Sequence, residues 1–434
     1  MTKIRQKDRD SVIQSIRAGV VPRAGQHLIQ VGRSREIESL ISDIERISEG
    51  GSAFRIVIGE YGSGKTFFLN LVRSVAMEKK LVATTADLNP DRRLHSTGGQ
   101  ARSLYAELSR NLSTRTKPDG GALPGIVEKF VSTVLTEAKA SSESPEVVIH
   151  RKFESLSEMV NGYDFAAVIA SYWKGFDTGN EQLKADAIRW LRGEFSTKTE
   201  ARAALGVRSI VDDASVYDQL KLLARFVRLA GFSGLLICFD EMVNLYKMAN
   251  MQARNANYEQ ILRILNDSLQ GVAVGLGIVM GGTPEFLLDT RRGLYSYAAL
   301  QSRLAENTFA KDGLVDFTAP VLKLASLIPE EFFVLLQKLR HVYAAGDSSK
   351  YLLPDEALTA FMSHCQKRIG ETYFRSPRTT ITAFVNLLAI LEQNPGVDWK
   401  QLVDSVPVEE DKGAEGELAI AAADGEDELT TFKL

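Results

Sequence analysis

Cysteine, histidine, tryptophan and proline are all scarce in this sequence. Its 434 residues include 2 Cys, 5 His, 3 Trp and 12 Pro. Two cysteines, Cys238 and Cys365, exclude a disulfide framework and a Cys-rich zinc site, and they suit a reducing, cytoplasmic compartment. The histidines show no ligand spacing, so no structural metal is expected. No run approaches the roughly 18–20 apolar residues of a membrane span, so no membrane partner is expected. The opening MTKIRQKDRD has no apolar segment and does not read as a secretory signal. What remains is 44% hydrophobic and 25% charged, an ordinary globular composition that excludes fibrous and wholly disordered classes.

The net charge of −3 is unevenly spread. From Glu409 onward nine acidic residues face Lys412 and Lys433, giving −7 there and +4 for the rest. The body is therefore compatible with a nucleic-acid partner without requiring one. Arg102, Arg110, Arg115, Lys117, Arg151 and Lys152 are its scattered candidates for DNA contact, against the plainer reading of a solvated face.

Along the chain, residues 1–25 read as a short helix and a loose basic arm. An amphipathic helix follows, with Ile37, Leu40, Ile41, Ile44 and Ile47 at 3–4 residue spacing, stopped by Gly50-Gly51. Strands are expected over 54–58, 81–87, 235–239, 274–280 and 322–327. Helices are expected over 66–75, 101–112, 126–140, 164–173, 181–191, 217–230, 258–269, 330–344, 355–369 and 378–393. Strands alternating with helices predict an α/β fold around a parallel sheet. The Ala/Gly/Glu/Asp-rich stretch after Pro407 is expected to be disordered.

The strongest motif is Gly59-Glu60-Tyr61-Gly62-Ser63-Gly64-Lys65-Thr66, followed by Phe67. It matches G-x-x-x-x-G-K-[ST] between an expected strand and an expected helix, the setting of a phosphate-binding loop. Loop N–H groups and the helix start make a concavity for phosphates, Lys65 reaches the β- and γ-phosphates, and the Thr66 hydroxyl holds Mg²⁺. ATP and Mg²⁺ are therefore the expected cofactors. Asp240 and Glu241 end the apolar run 235–239. Asp240 would orient the metal through water and Glu241 would activate the attacking water, unless these carboxylates merely cap the next helix. Thr283, after the strand over 274–280, suits either positioning that water or capping a helix that starts at Pro284. An arginine donated by a neighbouring subunit stabilises phosphoryl transfer. Arg303 is the candidate, with Arg291 and Arg292 as alternatives, while Arg378 at a helix start would reach the nucleotide within its own chain. Gly32 and Arg33, with residues 27–31, are candidates to line the adenine pocket.

The blocks GEYGSGKTFFL, GVRSIVDDASVYDQLKLLARFVRLAGFSGLLICFDEMVNLYK and GGTPEFLLD together resemble the ATP-binding proteins of BREX-type phage-defence systems, the BrxD type, from about residue 21 to about 394. That family resembles AAA+ ATPases of the origin-recognition initiator clade. The resemblance implies a P-loop NTPase of the ASCE type, with an αβα core and a C-terminal helical lid. It implies Asp240 and Glu241 as metal and base residues, Thr283 as sensor one, Arg378 as sensor two and Arg303 as the trans finger. Lys65 and Asp240 stand 175 positions apart, which implies a large helical insertion. The expected domains are an arm (1–25), a core (26–97 and 231–325), an insertion (98–230), a lid (326–405) and an acidic disordered tail (406–434). The expected function is ATP hydrolysis by a homo-oligomer acting on DNA, or on helicase-like or other defence-system partners. The alternatives are a nucleotide-gated scaffold with little turnover, and a signalling ATPase whose insertion detects a phage component.

Overall fold

The computed structural model describes residues 4–310 and 314–408. The acidic stretch from residue 409, expected to be disordered, lies outside the described residues. The fold is α/β, with a five-stranded parallel sheet and many helices. The strands are β1 (Ala53–Ile58), β2 (Val82–Asp87), β3 (Leu235–Asp240), β4 (Leu276–Gly282) and β5 (Val321–Lys323), in the order β2-β3-β4-β1-β5. No described helix is long and apolar enough to cross a membrane.

The chain divides into two compact units. One comprises Met1–Ile37, Val57–Leu71 and Leu322–Leu434; the other comprises Glu38–Ile56 and Val72–Val321. The boundary passes along β1.

In the second unit, β2, β3 and β4 run parallel in register, Val82 beside Leu235 and Leu235 beside Leu276. Every residue of β3 and β4 is buried. Strands covered on both faces must be apolar throughout, which is why LLICF reads as an unbroken run. β4 starts at Leu276, two residues later than the expected 274. Gly275 takes φ +70° and donates its N–H to the Gly51 carbonyl at 2.9 Å, so it turns the chain before pairing begins. Within β4, Gly277 lets the helix Ser34–Ser48 approach: a Cβ there would lie 2.3 Å from Ile47 Cδ1. In β1 the one charged residue, Arg55, is buried. Its Nε donates to Asp43 at 2.5 Å, Nη2 donates to the Ser39 hydroxyl at 3.1 Å, and Nη1 donates to the Ala319 carbonyl.

Between β2 and β3 the chain is helical. Its elements are Gln100–Arg110, Leu123–Ser141, Pro145–Phe153, Gly162–Thr178, Glu181–Leu191, Lys198–Leu205 and Val216–Leu229. They carry their own aromatic core. The Phe226 ring lies 5.4 Å from Phe130 and 5.3 Å from Phe165, and Trp190 packs edge-on to Phe165. Pairs of this geometry add about 0.5–1.5 kcal/mol each beyond their burial.

In the first unit, the helices Pro329–Tyr343, Asp355–Ile369 and Arg378–Gln393 enclose a cluster that includes Phe332, Leu336, Phe361, Phe384 and Leu388. The N-terminal segment contains the short helix expected of it, and that helix is packed rather than loose. It forms the helix Gln6–Arg17, whose Val12, Ile13 and Ile16 are buried in this cluster. Arg9 Nε donates to the Tyr343 carbonyl at 2.7 Å, and its guanidinium covers the Tyr343 ring. A few apolar residues on one face are enough to hold a helix when the rest of that face is anchored by polar contacts. The last strand, expected over 322–327, is the short β5; beyond it Leu324 N–H still donates to the Ile58 carbonyl at 2.7 Å.

Candidate functional site

In the first unit the phosphate loop occupies the turn between β1 and the helix Lys65–Glu78. Gly62 and Gly64 take φ +72° and +84°, a left-handed region that only glycine enters without cost. A Cβ on Gly59 would lie 2.6 Å from the Ser63 hydroxyl. Lys65 Nζ donates to the Gly59 and Glu60 carbonyls, both at 2.8 Å, which folds the ammonium over the loop. Glu60 and Tyr61 are exposed, Ser63 is buried, and Thr66 and Phe67 open the helix.

Gly32 and Arg33 meet this loop from the N-terminal side. Arg33 Nη2 donates to the Ser63 carbonyl, and also to Ala325 at 3.3 Å. Burial lowers the Arg33 guanidinium below its ordinary value, while the nearby Glu36 and Glu331 oppose the shift. Gly32 has φ +61°, a left-handed conformation that favours glycine, and a Cβ there would lie 2.5 Å from the Glu331 carboxylate, which would have to move. Upstream, Leu28 and Val31 pack on the same apolar cluster as Phe67. Arg378, the first residue of its helix, donates Nη1 to the Tyr61 hydroxyl at 3.3 Å and lies 5.7 Å over its ring. The Ser376 hydroxyl donates to the Tyr61 carbonyl at 2.8 Å. Gly32, Arg33, Arg378 and the loop are thus gathered in one unit.

The acidic candidates lie in the second unit. β3 ends on buried Asp240 and is followed by exposed Glu241. Glu241 takes φ +56°, an uncommon conformation for a residue with a side chain, and its N–H donates to Asp240 Oδ1 at 2.9 Å. Asp240 stands in register with Asp87, the last residue of β2. Desolvation, followed by the Asp240 charge, raises the Asp87 carboxyl above its ordinary value, with Arg92 pulling the other way. Thr283 follows β4 at the N-cap position of the helix Pro284–Leu288. Its hydroxyl makes no cap bond and is buried without a hydrogen-bond partner among the described residues. It therefore occupies the cap position without performing the cap.

Residues 4–406 match the BREX system ATP-binding protein BrxC/D family. The chain belongs to this family. No curated protein matches it. Family membership supports nucleotide binding and suggests a role in a phage-defence system.

The other arginines of this BrxC/D-family chain differ in commitment. Arg303 is exposed on the helix Ala298–Leu304, with Nη1 donating to the Ala299 carbonyl at 3.1 Å. Arg291 is exposed. Arg292 is engaged internally, its guanidinium donating to the Tyr246 and Met248 carbonyls at 3.3 and 3.4 Å. Most of the basic residues considered for DNA contact are engaged as well. Arg110 pairs with Glu194, Arg115 with Glu78, Arg151 with Glu137 and Glu143, and Lys152 with Glu137. Asp87 and Ser376 are the site neighbours that the sequence did not single out. An acid closing a strand beside the DE strand was the available signal for Asp87; Ser376 had none.

Proposed function

We propose that this protein is a Mg-dependent AAA+ ATPase of bacterial phage defence, working in the cytoplasm as a homo-oligomer on DNA or on DNA-bound partner proteins. The phosphate loop carries the reading. A buried strand turns through two left-handed glycines directly into the helix Lys65–Glu78. Such a strand–loop–helix turn commonly presents loop N–H groups and the positive helix end to phosphates, which supports the reading. Membership of an ATP-binding family supports the same assignment.

In this reading residues 26–97 and 231–325 form the nucleotide-binding core, 98–230 the insertion and 326–405 the lid. Lys65 holds the β- and γ-phosphates, with Gly59 to Phe67 around them. Thr66 and Asp240 supply hard oxygen donors, which suit Mg²⁺. No group of three or more His, Cys, Asp or Glu suited to a metal occurs among the described residues. The ion's other ligands would be phosphate oxygens and water, as is usual for magnesium. Glu241 takes a proton from the attacking water, Thr283 orients that water, Arg378 meets the γ-phosphate and Arg303 serves a neighbouring subunit.

The test is ATP turnover by wild type, Glu241→Gln and Arg303→Ala, with and without double-stranded DNA, each sized by light scattering. Glu241→Gln should bind ATP and lose turnover by about 10²–10⁴-fold, the usual share of a general base. Arg303→Ala should lose turnover with nucleotide affinity intact. Normal turnover in either variant removes that role. Negligible wild-type turnover with ATP-dependent assembly would mean a nucleotide-gated scaffold instead.

A further inference from the structure

Tyr61 is an unexpected residue for the tip of a phosphate loop. It is 41% exposed, yet two groups from one short segment hold it: the Ser376 hydroxyl on its carbonyl at 2.8 Å and the Arg378 guanidinium on its hydroxyl and ring. Pro377 stands between these two groups, at φ −74°. Arg378 is also placed against the electrostatics of its own helix. A cation in the first turn opposes the helix dipole, whose positive end favours anions. The side chain therefore needs an outside reason to be there and something to hold it in place.

We propose that Tyr61 is a positioning residue that sets the Arg378 guanidinium over the phosphate loop, so that the site favours nucleoside triphosphate over diphosphate. This inference rests on the nucleotide-binding reading above and names its discrimination device. The hydroxyl accepts from one guanidinium nitrogen, the ring faces the cation, and the remaining N–H donors are left to meet γ-phosphate oxygens. Only a triphosphate supplies those oxygens, so the contact bears on ATP and hardly on ADP.

The experiment measures ATP and ADP affinities by calorimetry for the full chain. The variants are Tyr61→Phe, Tyr61→Ala, Arg378→Ala and the Tyr61→Ala/Arg378→Ala double. The ATP-to-ADP preference should fall a few-fold in Tyr61→Phe and about tenfold in Tyr61→Ala, one charge-assisted hydrogen bond's worth. The double variant should lose no more than Arg378→Ala alone, and ADP affinity should fall less than ATP affinity in every variant. An unchanged preference in Tyr61→Ala, with wild type binding both nucleotides, overturns this inference alone. Additive losses in the double variant overturn it too. Wild type that binds neither nucleotide overturns the site reading and this inference with it.

Discussion

In the loop over residues 59–66, the side chains assigned to nucleotide in the proposal above are held by the protein around them. Lys65 rests on two carbonyls, Arg33 on the Ser63 carbonyl, and Tyr61 between Ser376 and Arg378. At the carboxyl end of β3 and its neighbours the opposite holds. Glu241 has a left-handed backbone, Asp87 is raised by burial and by Asp240, and the Thr283 hydroxyl is buried with no partner among the described residues. The first region is built from conformations that glycine adopts freely. The second retains strain and electrostatic conflict, as sites of chemistry often do. On the function proposed above, binding and chemistry would thus be set up by different means in different parts of the chain.

Three substitutions test that contrast. The largest effect is expected from Lys65→Ala. Losing two charge-assisted hydrogen bonds to the β- and γ-phosphates, the contacts proposed above for Lys65, at roughly 1.5–3 kcal/mol each should weaken ATP binding about a hundredfold or more. Because the loop's shape comes from Gly62 and Gly64, the melting temperature should stay near wild type; calorimetric titration beside a thermal melt checks both. A smaller effect is expected from Glu241→Gly. Relief of about 1–3 kcal/mol of backbone strain, less about 0.5–1 kcal/mol for glycine's extra freedom in the unfolded chain, leaves a gain of about 1 kcal/mol. Urea denaturation against Glu241→Gln, which keeps the strained backbone, reads it; equal midpoints would mean that the left-handed turn stores nothing.

The smallest effect belongs to Asp87→Asn. The folded carboxyl titrates above its unfolded value, so between those two values the folded state binds more protons than the unfolded one. Wild-type stability therefore falls as pH rises through that window. The variant should lack this slope and be the more stable protein at neutral pH, seen in urea midpoints from about pH 4 to 8. A wild-type slope of the opposite sign would remove the conflict ascribed to Asp87.

Much of this contrast could be read in the sequence, and the remainder has physical reasons for being hidden. β3 was visible because a strand buried on both faces must be apolar, and its end because Asp240 and Glu241 break the run. The helices Glu181–Leu191, Asp355–Ile369 and Arg378–Gln393 have the bounds expected of them. Two shorter helices, Pro145–Phe153 and Lys198–Leu205, escaped notice although both carry a capping signal. Ser144 accepts from the Val147 N–H ahead of Pro145, and Thr197 accepts from the Glu200 N–H. The packing of Gln6–Arg17 was hidden by its polar composition, since its anchor Arg9 finds its partner at Tyr343, far along the chain. The loop over residues 59–66 was legible because it matches a known residue pattern, and two of its glycines take the backbone angles that glycine favours. The left-handed backbone of Glu241 was not, because a dihedral angle leaves no mark on a residue that would ordinarily avoid it.

The buried Arg55 fixes the register of β1. Its guanidinium is bolted to Asp43, Ser39 and the Ala319 carbonyl. A slip of β1 by a single residue would turn Arg55 to the opposite face of the sheet and break all of these bonds at once. β1 therefore behaves as a fixed rail with its upstream end pinned. That register fixes the residue at which the strand ends and the turn over 59–64 begins.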